Sequence, residues 1–261
     1  MSIRPVLGTS AVIFIACVLS GPVAAQGTWA DRLKGAAPPA PAATEAGPTD
    51  PATSTVPAEA EYDTMVGALK DALEVGSGHA VAAAGKTDGF MGNPAIRIPM
   101  PGFLEDASSM LRGTGLGPQA DALEKGMNRA AEQASAKAGG IMAEAISRLV
   151  IDDPRAVLIG APDGATRLLR RRAGERLFDD LRPLVEASMT QTDASAAFAD
   201  LNKQIAQRLP ALGTLEDMDL TDYVTVKTLD GLFLLLAEEE KKIRLTPEAR
   251  TTDLLREVFG G

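Results

Sequence analysis

Residues 219–243, DLTDYVTVKTLDGLFLLLAEEEKKI, constrain the fold of this chain more than any other stretch. Their spacing predicts one long helix. Its middle, residues 231–237, is apolar on every side, and a helix apolar all round belongs among other helices. Both flanks are charged, and the apolar run is too short to span a bilayer. The rest of the chain must therefore supply amphipathic helices to cover it.

Those helices can be read from apolar spacing. Tyr62, Met65, Val66, Leu69, Leu73, Gly76 and Ala80 keep a helical repeat to about residue 84. Residues 88–102, DGFMGNPAIRIPMPG, hold three prolines and read as an ordered loop, because Pro lacks an N–H and biases its predecessor to extended geometry. Within that loop Ile96-Arg97-Ile98 has strand character. Phe103, Leu104, Ala107, Met110 and Leu111 mark a short helix, and GTGLGP at 113–118 punctuates it. Ala120, Leu123, Met127, Ala130 and Ala134 mark the next. Ile141, Met142, Ala145, Ile146 and Leu149 continue the pattern after Gly139-Gly140.

Asp152 or Asp153 should cap a short helix with Pro154 in its first turn, and Asp163 should cap a long one. The long helix buries Leu169, Ala173, Leu177, Leu181, Leu184 and Val185, and Pro183 should kink it near Asp179. Asp193 opens a helix with Phe198, Leu201, Ile205 and Leu209. Thr246 and Pro247 open the last, with Leu254, Leu255, Val258 and Phe259 inward. The expected fold class is all-α, a single domain over 61–261 of about nine helices packed around the long C-terminal one.

The first 25 residues read as a signal peptide. Arg4 gives the positive end, residues 6–19 are apolar, and Val23-Ala24-Ala25 suits cleavage before Gln26. A lipoprotein cysteine at Cys17 and an uncleaved anchor are the rivals. Phe14 is bulky for the first, and Gly8, Gly21 and Pro22 weaken the second. Residues 26–60 form a Pro/Ala-rich flexible linker that cannot bury enough apolar surface to offset its ordering entropy. Trp29 and Leu33, four apart near its start, could make one amphipathic turn that docks on a membrane or partner. The expected location is the periplasm.

Absences narrow the chemistry. Cys17 is the sole cysteine and leaves with the signal, and His79 is the sole histidine. A Cys–His pair and a His/Cys zinc site are excluded, and a Ser–His–Asp triad would have to use His79. No cofactor or metal motif is present. The net charge of −9 becomes −10 when Arg4 is removed, which argues against a nucleic-acid partner.

Carboxylates cluster on the long helix. Glu238 should pair with Lys242, and Lys227 with Asp230. Glu240 shares a face with Val226, Leu229, Phe233, Leu236 and Ile243 and should point inward, where it needs a partner. Arg167, Arg170, Arg171, Arg172 and Arg176 crowd one helix. They suit an anion site or an acidic-lipid patch, or else a solvated face neutralised by Glu175, Asp179 and Asp180.

Several strings together resemble an uncharacterised bacterial family, domain of unknown function 4197: ALKDALEVG, DGFMGNPAIRIPMP, GLG followed by MNRAAE, DYVTVKTLDGLFLLLAEEEKKIR and ARTTDLLREVFG. The resemblance covers about residues 62–260 and implies an exported protein, in some members with a lipoprotein signal. It brings no established activity. The shared strings hold Arg97, Asn128, Arg129, Glu132, Lys227, Asp230, Glu240 and Arg250, which are the candidate binding residues. Drawn from distant segments, they could meet in one pocket or in one buried network. Three functions compete. One is a non-catalytic envelope protein that binds an unknown protein or small molecule. Another is an enzyme using Glu240, Asp230 and Glu132 on a glycan-like substrate. The third is a structural domain without a ligand.

Overall fold

The computed structural model describes residues 58–102, 108–208 and 218–260. The stretch read as a signal peptide, nearly all of the stretch read as a linker, residues 103–107 and Leu209 lie outside the described residues. Among the described residues there are nine α-helices and no strand, so the fold is all-α.

The repeat beginning at Tyr62 becomes α1, Ala58–Gly85, which starts inside the stretch read as linker. The Ala-Glu-Ala-Glu run before Tyr62 explains the extra turn, since both residues are good helix formers. After the loop come α2, Ser108–Gly113, α3, Gly117–Lys137, and α4, Gly139–Ser147. The short α5, Pro154–Ile159, is capped by Asp153, which accepts from Ala156 N at 2.9 Å. The long α6, Gly164–Gln191, continues through Pro183. Then follow α7, Ala194–Arg208, and the central α8, Leu220–Leu245, whose cap Asp219 accepts from Asp222 N.

The reading of a last helix from Thr246 joins two elements. Pro247–Ala249 is a single 3-10 turn, and α9, Asp253–Phe259, starts afresh with Thr252 accepting from Leu255 N at 3.2 Å. Thr246 makes no side-chain cap bond.

α8 packs mainly on α1 and α6, and α3 packs on α6, α1 and α7, so α1, α3, α6 and α8 enclose one core. A small second cluster of Ala72, Ile243 and Leu255 lies where α9 closes over α1 and α8. Leu232, Phe233 and Leu236 are buried as their apolar setting predicts, but Leu234 is 40% exposed. One side of α8 therefore reaches the surface.

Two glycines permit the closest approaches to and from α8. Gly76 on α1 leaves room for Leu236, whose Cδ1 would lie 2.9 Å from an added Cβ. Gly231 faces the loop. A Cβ there would lie 2.7 Å from Phe90 Cε1 and 3.2 Å from Ile96 Cβ, and the Phe90 ring is itself fully buried. Gly231→Ala is therefore expected to lower stability by about 1–3 kcal/mol through overpacking. That is opposite in sign to its helix propensity. Urea melts of the two proteins check this, and an unchanged midpoint would show that the ring moves aside at no cost.

Candidate functional site

The candidate polar residues separate along α8. Asp230 and Glu240 are ten positions apart, or about 15 Å of helix rise. One group gathers at the loop and the other at the C-terminal end of α8.

At the loop, α3 presents Asn128 and Glu132 one turn apart on one face. Asn128 is fully buried. Its Oδ1 accepts from Ile98 N at 2.8 Å, and its Nδ2 donates to Ile98 O and Glu124 O, both at 2.8 Å. The carboxamide thus occupies the place of a neighbouring strand. Ile96-Arg97-Ile98 does not form the strand its composition suggests: Ile96 N and Arg97 N close a turn on Asn93 O, and only Ile98 has both backbone groups met by a side chain.

Glu132 is 3% exposed, and its Oε1 accepts from Phe90 N and Met91 N, each at 3.1 Å. Its Oε2 accepts from Arg129 Nη1 at 2.6 Å, and Arg129 Nη2 reaches Asp88 Oδ1 at 2.7 Å. The hydrogen bond to Glu132 is the main cause raising the Arg129 guanidinium above its ordinary pKa, against the effect of burial. Arg97 lies outside this cluster and pairs at the surface with Glu124 at 2.9 Å. Tyr223 on α8 donates to Pro99 O at 3.0 Å and holds the far end of the loop.

The second cluster centres on Glu240, which points inward as its apolar neighbours predict. Its carboxylate sits at the head of α6. It accepts from Ala165 N at 3.0 Å, Thr166 N at 2.8 Å and Thr166 Oγ1 at 2.7 Å. Arg244, one turn along α8, donates from Nη2 at 2.7 Å and from Nε at 3.1 Å. The first N–H groups of a helix have no intrahelical partner, and Glu240 supplies one from another helix. Asp163, the cap expected from sequence, makes no side-chain cap bond. Arg244 also donates to Val157 O and Leu158 O at the end of α5, and its guanidinium lies 5.5 Å from the Phe259 ring centroid. Arg250 joins the cluster by donating to Ile243 O and Arg244 O, the last carbonyls of α8.

Between the clusters, Asp230 pairs with Arg170 of α6 rather than with Lys227. Arg170 lies over the Phe233 ring, and Lys227 lies over the Tyr223 ring. Lys242 pairs with Glu239, three positions back, rather than with Glu238. Glu239 also meets His79 Nδ1 of α1 at 2.9 Å. Burial pushes the Glu239 carboxyl up, but the hydrogen bonds from Lys242 and His79 outweigh it and hold the group below the usual carboxylate range.

The arginine-rich helix finds its partners both one turn away and on other segments. Arg167 pairs with Asp163, Arg170 with Asp230, Arg172 with Asp152, and Arg176 with Glu144 and Asp180. Arg171 has no carboxylate partner among the described residues. It lines a cleft of about 380 Å³ between α5 and α6, together with Arg167, Ile151, Val157, Ala161 and Leu168. Spacing did not single out Arg171 among the five, because only the positions of the other helices show which arginine lacks a partner. Arg244 was also missed, although its place four residues after Glu240 was a signal available in the sequence.

The family model described as a protein of unknown function, DUF4197, matches residues 59–260, and the chain belongs to that family. No curated protein and no solved structure matches it.

Glu240→Gln tests the second cluster. The amide leaves Arg244 without its counter-charge and turns an N–H₂ toward backbone donors. Removing one partner of a buried pair typically costs about 3–5 kcal/mol, and a loss of that order is expected in urea melts at pH 7. A loss below about 1 kcal/mol, the range of an exposed pair, would mean that water reaches the pair.

Proposed function

We propose that this member of the family is an exported, non-catalytic helical protein of the bacterial periplasm that binds a protein partner or a small ligand. The observation that carries the reading is the commitment of its buried carboxylates. Glu132 and Glu240 are closed from solvent, and every oxygen of both accepts hydrogen bonds from the protein itself.

Carboxylate-dependent glycoside chemistry is the alternative. It needs two carboxyls about 5–10 Å apart in an open cleft, one to give a proton and one to attack or to activate water. Of Glu132, Asp230 and Glu240, only Asp230 is substantially exposed, and it is already paired with Arg170. The export pattern of residues 1–25 and the linker pattern of 26–60 support a body tethered or released outside the cytoplasm. Among the described residues no helix is long and apolar enough to cross a membrane.

The test uses the chain from Gln26 onward. It is incubated with soluble envelope glycan fragments and, separately, screened against envelope metabolites by thermal shift. The expected result is no product above the buffer control and a raised midpoint with at least one metabolite class. Product release by the wild type, lost in Asp230→Asn, would replace the binding reading with the enzymatic one.

A further inference from the structure

We infer that the cleft between α5 and α6 is a binding site for a singly charged carboxylate bearing a short aliphatic chain, with Arg171 as its anchor. The inference rests on the binding reading and names the ligand class for this site. The cleft is lined in part by Ile151, Ala156, Val157, Ala161 and Leu168, whose side chains are hydrocarbon. Its volume of about 380 Å³ falls at the lower end of small-molecule sites, which run from about 300 to 1,000 Å³.

The charge on its wall selects the head group. Arg167 and Arg171 are one turn apart on α6 and both line the cleft. Arg167 engages Asp163 through Nε, at 3.0 Å, leaving its terminal nitrogens for an occupant. Arg171 engages no carboxylate among the described residues. Arg167, Arg170, Arg172 and Arg176 are all paired, so among the described residues Arg171 is the cation of that group left without a carboxylate partner.

A guanidinium presents parallel N–H groups that match the two oxygens of a carboxylate. Of the two acidic residues of the cleft, one is paired with an arginine and the other is engaged as the cap of α5. Asp152 pairs with Arg172 at 2.6 Å, and Asp153 accepts from Ala156 N. They remain negative, so a doubly charged phosphate would meet more repulsion here than a carboxylate. The apolar wall and Arg171, without a carboxylate partner among the described residues, together fit an amphiphile with one charge at one end.

The test is isothermal titration calorimetry of the chain from Gln26 onward with sodium octanoate. Acetate serves as the head without the tail, and 1-octanol as the tail without the head. Arg171 is exposed, so Arg171→Gln leaves the core intact. Saturable octanoate binding is expected, weaker for both controls, with Arg171→Gln weakening it roughly tenfold to a hundredfold. Equal affinity in Arg171→Gln, or no saturable octanoate binding, would overturn the site. So would binding to phosphatidylglycerol vesicles that is lost in Arg171→Gln while octanoate fails to bind, because the face would then belong to an anionic membrane. A metabolite that stabilises wild type and Arg171→Gln alike, with octanoate inactive, would overturn this site and leave the broader binding reading standing.

Discussion

A buried non-helical segment must find hydrogen-bond partners outside any helix ladder, and in this protein Asn128 and Glu132 supply them. The loop after α1 carries Phe90, Ile96 and Ile98 into the core, and their backbone groups go with them. An unpaired buried N–H or C=O costs about as much as the burial of a side chain gains. Two side chains one turn apart on α3 meet Phe90 N, Met91 N, Ile98 N and Ile98 O. With the loop held, its apolar side chains form the surface on which Gly231 lets α8 settle. α8 then carries Glu240 to the head of α6, and Arg244 ties that junction to the end of α5.

This dependence explains which parts of the structure could be read from the sequence. Helices follow from spacing along the chain, so α1, α3, α6 and α8 are visible in the positions of Leu69, Met127, Leu177 and Leu236. The inward turn of Glu240 was visible for the same reason. Partners across helices were not, because they depend on how the helices are placed against each other. Asp163 looked like the cap of α6 by type and position, yet a carboxylate from α8 reaches those N–H groups. Ile96-Arg97-Ile98 looked like a strand, yet its first two residues close a turn on Asn93 O and only Ile98 meets the Asn128 amide. Arg172 and Arg176 had acidic residues nearby in sequence, yet both also reach carboxylates on other segments, Asp152 and Glu144.

The candidate binding residues illustrate the same limit. As a set of polar residues in distant strings, they were equally compatible with a pocket and with a buried network. In the structure Asn128, Arg129 and Glu132 hold the loop, and Glu240 and Arg250 hold the end of α8. Asp230 pairs with Arg170, and Arg97 and Lys227 lie outside the two clusters. Buried polar groups so engaged favour a single arrangement of the chain over its alternatives. Capacity for recognition is then sought among the charges that the fold leaves unpaired, and Arg171 beside an apolar cleft is one of them.

The seating of α8 on the loop requires the loop to be held as firmly as the helices. Native-state hydrogen exchange at the amides of Phe90, Met91 and Ile98 measures this, because exchange from a locally open segment is fast and exchange that requires unfolding is slow. These three amides are expected to exchange as slowly as those in the middle of α3. Exchange as fast as in an exposed turn, with α3 still protected, would show that Asn128 and Glu132 do not hold the loop.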